Sequence, residues 1–421
     1  MQTQKKLSVS QNALYNTVGT IFYCFCQWLT SAFLVVHLSP EDISVSNTGL
    51  LQLSISVTNI FYSISLYSTR TYQISDIDNR YSDGIYIATR FVTAVFATLL
   101  CLVYVLIIGY SANSIICIMF YMLYKLSETF SDVYHGIDQK NYRMDYVGIS
   151  YILRGIFSVI AFVLVIVVTG NVLAAVFAMA ISTLAVVAIY DVRCSAKLCS
   201  VKPVFEKKPI ATLLVTCFPA VISTAAFAAT TSVPRQILEG MRGEEALGYY
   251  GTIATPLVVV QVMATSIFNP MITQIAEFYH DGKIRNFIKM TFRNLLELAA
   301  ISGAVCVGVA LLGEFAVGIV FGKKFVEYTY LMYGIIACTT MYVVSWLCTN
   351  YLIIMRKMWV CTVASLAALA TSSLLAKPFI NRFGMNGVSY SIIIAYVIHI
   401  AICGVIICKN LKARGKSLEL Q

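Results

Sequence analysis

Residues 146–169 read YVGISYILRGIFSVIAFVLVIVVT, and after two residues 172–192 read VLAAVFAMAISTLAVVAIYDV. Each run is long enough to cross roughly 30 Å of hydrocarbon as a helix. In lipid a backbone must satisfy its own hydrogen bonds, which leaves helices or closed barrels. These runs are continuous rather than alternating, so they read as helices. Comparable runs recur from end to end. Twelve spans are expected, at 13–36, 45–69, 84–109, 112–134, 146–169, 172–192, 210–233, 247–276, 290–313, 328–354, 359–380 and 386–408. The fold class is therefore an all-α integral membrane protein.

Composition agrees. Of 421 residues, 59% are apolar and 12% charged, against about half and a quarter in a soluble domain. The polar residues 1–12 and the long apolar run after them do not fit a cleavable signal peptide. The thirteen cysteines lie mostly inside apolar runs and match no zinc spacing. No metal or cofactor is expected. GIVFGK at 318–323 is too short between its glycines and lacks the hydroxyl residue of a phosphate-binding loop, so an ATP motor is not indicated. No connection is long enough for a soluble catalytic domain, and the chain is read as a transporter rather than an enzyme.

Charge gives the orientation. With both termini cytoplasmic, inner segments carry 21 Lys and Arg and outer loops carry 6. Basic residues concentrate on the cytoplasmic side of membrane proteins. The net charge of +10 thus reflects topology and contact with acidic lipid, not nucleic acid. The longest connection, 193–209, falls at the midpoint of the chain. It divides the expected helices into two lobes of six, 1–207 and 208–421.

Ionisable residues inside spans cost about 2.5–3.5 kcal/mol each at mid-helix, so they call for an explanation. Tyr121, Lys125, Glu128 and Asp132 share one face of the fourth span, within a sector of about 60° at helical spacing. Arg90 in the third span and Arg154 in the fifth are expected in the same inner half of the membrane. Two readings stand together. The charges pair and lock the helices, or they line a hydrated cavity with surplus positive charge suited to a phosphate-bearing substrate. In the second lobe Glu297 is the candidate for ion coupling, beside Glu128 and Asp132 in a supporting role. Arg235 and Glu277 are read as interfacial. Four of the eight prolines (Pro219, Pro234, Pro256 and Pro270) lie in or beside spans seven and eight. Proline interrupts the helical hydrogen-bond ladder, so Pro219 and Pro256 are expected kink or gating positions.

YKLSETFSDVYHGIDQK at 124–140 and GISYILRG at 148–155 resemble spans four and five of bacterial polysaccharide-unit flippases. RTYQISDIDNRYSDGIYIATR at 70–90, EALGYYGTIATPLVVVQVMATSIFNPMI at 245–272 and FGKKFVEY at 321–328 resemble other parts of the same group. The group is the O-antigen or capsular repeat-unit flippases (Wzx type), within the multidrug/oligosaccharidyl-lipid/polysaccharide exporter superfamily. The resemblance implies a V-shaped, MATE-like pair of six-helix lobes in the bacterial cytoplasmic membrane. It implies an undecaprenyl-pyrophosphate-linked oligosaccharide substrate, moved by alternating access for O-antigen or capsule synthesis. A polysaccharide polymerase and chain-length machinery are the further partners it implies. Arg90, Lys125 and Arg154 are the positions matching the cationic cavity of such flippases. One departure is that the first span contains no Arg or Lys. The alternatives are an ion-coupled multidrug exporter, which calls for an acidic cavity, and a membrane polysaccharide polymerase or ligase, which calls for a large outer loop.

Overall fold

The computed structural model describes residues 9–76 and 80–419. Lys5 and Lys6, counted above toward the inner side, lie outside the described residues. Those residues form helices and turns with no strand. In order the helices are α1 (Val9–Trp28), α2 (Val35–Leu38), α3 (Ser44–Leu66), α4 (Thr69–Ser75), α5 (Asp83–Ile108), α6 (Ala112–Lys140), α7 (Met144–Thr169), α8 (Val172–Val186) and α9 (Val192–Ser195). They continue with α10 (Lys207–His280), α11 (Ile284–Val320), α12 (Leu331–Ile354), α13 (Met358–Phe383) and α14 (Asn386–Glu419).

All twelve expected spans fall on helices. Ten helical stretches among the described residues are long and apolar enough to cross a membrane. One of them, Lys207–Leu257, runs through the break between the seventh and eighth spans. α6 is absent from the ten although it has 29 residues. Its length suffices, and its buried polar stripe lowers its hydropathy. The break in α10 is Gly243, at φ 83° and ψ 172°, a conformation from which a Cβ is sterically excluded. Pro219 and Pro256 lie within helical backbone on either side of it. The side chain of Pro270 lies outside the described ones.

The chain folds as two compact units, 1–225 and 226–421. The division lies inside α10 rather than in the basic linker. Leu213, Cys217 and Val221 of α10 join Tyr67, Tyr86 and Val133 in a core cluster of the first unit. The linker itself is fastened to α5, where the Val204 amide donates to the Gly84 carbonyl at 2.9 Å. At the turn before α5, burial opposes the charge on Asp76. The Arg80 and Tyr81 amides and the Tyr86 hydroxyl nevertheless donate to it and hold its carboxyl below the usual range.

In the first unit α1 lies against α7, and α6 against α3 and α8. The α1–α7 approach needs glycine. A Cβ on Gly19 would sit 2.6 Å from the Gly148 carbonyl oxygen, and one on Gly148 would strike the Tyr15 backbone. Lipid gives no hydrophobic push between helices, so small residues that let backbones approach are what hold such seams. In the second unit Phe268, Ile275, Phe287, Leu347 and Tyr351 form the core. Outward faces stay apolar, as at Leu99 and Ile107 of α5 and Leu311 and Phe315 of α11.

Candidate functional site

Four helices of the first unit line an open polar pocket of about 280 Å³. α1 supplies Thr20, Tyr23 and Gln27, and α3 supplies Tyr62. α6 supplies Lys125, Glu128, Asp132 and His135, and α7 supplies Tyr151 and Arg154. The α6 residues recur at three- and four-residue spacing, so they form one stripe facing the cavity. Close packing of α1 on α7 at Gly19 and Gly148 brings Tyr23 to Arg154, further along α7.

The charges differ in how they are satisfied. Lys125 Nζ donates to Glu128 Oε2 at 2.9 Å. Its ammonium also lies 5.0 Å from the Tyr62 ring centre and 5.6 Å from that of Tyr124. The other Glu128 oxygen accepts from Tyr23 Oη and Gln27 Nε2, both at 2.7 Å. That carboxylate is fully engaged. Asp132 receives Arg90 Nη2 at 2.6 Å and Arg70 Nη1 at 3.2 Å. Arg70 continues to Gln139 Oε1 at 2.9 Å.

Arg90 departs from expectation. It does not line the cavity. It is completely buried, and besides Asp132 it donates to the Ser65 and Leu66 carbonyls at the end of α3. Helix ends leave such carbonyls without partners. Here the helix stops at Tyr67 and Ser68, both left-handed at φ 50° and 52°. Arg90 therefore locks the α3 break to α6, which is the pairing reading of its charge.

Arg154 is the reverse case. It is 1% exposed, and its Nε and Nη1 have no hydrogen-bond partner. Among the described residues no carboxylate is within ion-pair distance of it. Its guanidinium lies 4.8 Å from the Tyr23 ring centre and 5.2 Å from that of Tyr151. A desolvated cation over an aromatic face gains about 2 kcal/mol. That falls short of a cost of about 2.5–3.5 kcal/mol for the charge and about 1–3 kcal/mol for each unmet buried donor. Asp191 and Glu128 are the carboxylates whose fields it feels, and Asp191 takes the Ser131 hydroxyl at 2.6 Å. Asp191 ends a π-helical turn, Val187–Asp191, and a second such turn, Leu29–Leu34, begins just after Gln27. These wider turns flank the cluster and are common at functional sites. The cluster holds four cations (Arg70, Arg90, Lys125 and Arg154) and three carboxylates (Glu128, Asp132 and Asp191). Of the four, Arg154 has no carboxylate at ion-pair distance among the described residues, whereas Asp132 serves both Arg70 and Arg90.

Glu297 is not brought to this cavity. It lies in the second unit at the edge of the buried face of α11, one turn from the buried Asn294, paired with Arg293 at 3.4 Å and with its side chain 42% exposed. Residues not singled out from the sequence include Gln27, His135, Tyr151 and Asp191. His135 extends the α6 stripe by one step, and its Nε2 is 3.1 Å from Ser150 Oγ. The same spacing that picked out Asp132 reaches it. Gln27 and Asp191 are single polar residues in apolar runs, one just before a π-helical turn and the other at the end of one, and no spacing announces them.

A family model described as polysaccharide biosynthesis protein matches residues 9–276. The chain is 27% identical over 320 residues to a capsular polysaccharide biosynthesis protein, CapF, of Staphylococcus aureus, covering 75% of this chain and 78% of that one. Its fold is similar to that of the lipid II flippase MurJ in an inward closed conformation, with TM-score 0.73 at 11% identity over 96% of this chain and 90% of that chain. It is also similar to an inward-facing multidrug resistance MATE family transporter of the MOP superfamily, with TM-score 0.70 at 11% identity over 99% and 97%. A MOP superfamily transporter from Pyrococcus furiosus, described by the reverse polarity of its binding pocket, gives TM-score 0.66 at 12% identity over 98% and 99%. With a MATE-like helical fold and a model match over more than half its length, the chain belongs to the polysaccharide biosynthesis protein family.

Proposed function

We propose that this chain is a flippase that carries polyprenyl-pyrophosphate-linked oligosaccharide units across the bacterial cytoplasmic membrane for surface polysaccharide synthesis. The observation that carries the reading is Arg154, a sealed cation whose Nε and Nη1 lack an acceptor. An anionic head group supplies both the charge and the acceptors. The family and the capsular relative support a polysaccharide precursor as cargo. A cavity of about 280 Å³ is at or below the low end of drug-sized sites, roughly 300–1,000 Å³. It suits a diphosphate or one charged sugar rather than a whole repeat unit, so the glycan lies outside it.

In this mechanism both termini face the cytoplasm, as the basic residues indicate. The head group enters from that side, and Arg154 takes its charge. Lys125 contributes by exchanging part of its bond to Glu128. The polyprenyl tail stays in lipid. Alternating access then exposes the head group outside, with Pro219, beside the division between units, and Pro256 as bending points. Released units pass to a polymerase and chain-length machinery. A cation-expelling exporter fits less well, because the cluster's excess charge would repel its cargo.

The test is made in the native host. Arg154→Gln should abolish surface polysaccharide and accumulate complete lipid-linked units, as deletion of the gene should. Normal surface polymer from an Arg154→Gln strain at ordinary protein level would remove the basis of the assignment.

A further inference from the structure

The second unit contains a cation that shares one trait with Arg154, a buried guanidinium nitrogen without an acceptor. Arg235 of α10 is partly exposed, yet its Nε is buried and has no hydrogen-bond partner. Among the described residues it forms no ion pair. Glu239, one turn further along the same helix, does not pair with it. Its guanidinium lies 5.8 Å from the Tyr250 ring centre, and Tyr250 Oη shares a 3.0 Å hydrogen bond with Ser389 Oγ. Tyr396 is also within its electrostatic reach. That residue is 0% exposed and its hydroxyl has no partner. The wall beyond is aromatic. Phe227 lies 5.2 Å from Tyr342 and 5.5 Å from Tyr396 between ring centres. An unneutralised guanidinium, an idle phenol and aromatic faces together recognise an oxyanion carried next to a sugar ring.

Depth distinguishes it from the first site. Arg235 precedes the Gly243 break by about 12 Å of helix, and Tyr250 follows it by about 10 Å, at 1.5 Å per residue. Arg154 lies about 15 Å beyond Met144, the start of its own helix, on the same scale. In the proposed orientation Gly243 belongs to an outer connection and Met144 to an inner one. We infer that Arg235, with Tyr396 and Tyr250, forms a second oxyanion site in the outer half of the second unit, which receives the cargo's anionic group after Arg154 releases it. The oxyanion is the carrier's diphosphate or the carboxylate of an acidic sugar. The inference rests on the flippase reading for its order of events, not for the existence of the site.

The experiment measures saturation binding of labelled inorganic pyrophosphate to the full chain in lipid nanodiscs, with glucuronate and glucose as competitors. Wild type should bind two per chain, Arg235→Gln one, Arg154→Gln one, and the double variant none. Arg235→Lys should keep two. Tyr396→Phe, which retains the ring, should weaken the second site about tenfold, as for loss of a hydrogen bond to a charged group. It serves if Arg235→Gln does not fold. Displacement by glucuronate assigns the second site to acidic sugars, and pyrophosphate binding that glucuronate leaves in place assigns it to the carrier. Displacement by glucose at equal concentration contradicts an anion site. Unchanged stoichiometry in Arg235→Gln, or unchanged affinity in Tyr396→Phe, overturns the inference. A loss confined to Arg154→Gln leaves the flippase reading standing without it. A loss confined to Arg235→Gln removes the first site and keeps the second.

Discussion

Lys125 and Arg154 are both buried cations in one cavity, and what neutralises them separates their roles. Lys125 has a carboxylate at 2.9 Å. Removing one member of a buried pair leaves an uncompensated charge and costs about 3–5 kcal/mol. Lys125→Gln and Glu128→Gln should each lower thermal stability in detergent, and the double variant should lose less than the sum of the two. Arg154 has no such partner, so Arg154→Gln should abolish export with little or no loss of stability. A large stability loss at Arg154 with simple additivity at Lys125 and Glu128 would reverse the two roles. The sequence made both residues visible because charge inside an apolar span is conspicuous. It did not separate them, since pairing depends on which neighbour arrives within hydrogen-bond reach. Arg90 shows the consequence. Its charge was legible, but its target was the end of α3 at Tyr67 and Ser68, a left-handed break made without glycine or proline and so without a signal.

At the scale of helices, the site depends on how closely α1 approaches α7. A Cβ at Gly148 meets backbone, which cannot move aside, whereas one at Gly155 meets the Cys26 side chain, with Sγ at 3.0 Å. Overpacking of this kind costs about 1–3 kcal/mol. Gly148→Ala should therefore lower the melting temperature more than Gly155→Ala, and should also reduce export by moving Tyr23 away from Arg154. Equal effects would mean the seam is looser than its backbone contacts indicate. Helix number and order could be read directly from apolar run length, because the bilayer sets that length. α6 was found by the same rule even though its polar stripe dilutes its hydropathy. The unit division was not legible. The linker at 193–209 looks like a boundary in composition, but Leu213, Cys217 and Val221 bury themselves with the first unit, and no local pattern reports which core a helix joins.

At the scale of the whole molecule, two compact units each hold a cation that, among the described residues, no carboxylate neutralises at ion-pair distance, Arg154 in one and Arg235 in the other. Within a span a buried cation such as Arg154 is costly, and a cargo that brings its own anion offsets the cost only while bound. That links the static structure to transport, since each site is satisfied when occupied and unsatisfied when the cargo has left. The most direct test is flipping by the purified chain. Liposomes containing the protein and a labelled polyprenyl-pyrophosphate oligosaccharide are treated from outside with a glycosidase that cannot cross the bilayer. The expected result is that wild type makes the inner-leaflet pool accessible, while Arg154→Gln leaves it as protected as in protein-free liposomes. Equal accessibility for wild type and Arg154→Gln, or none above protein-free liposomes for wild type, would contradict the account.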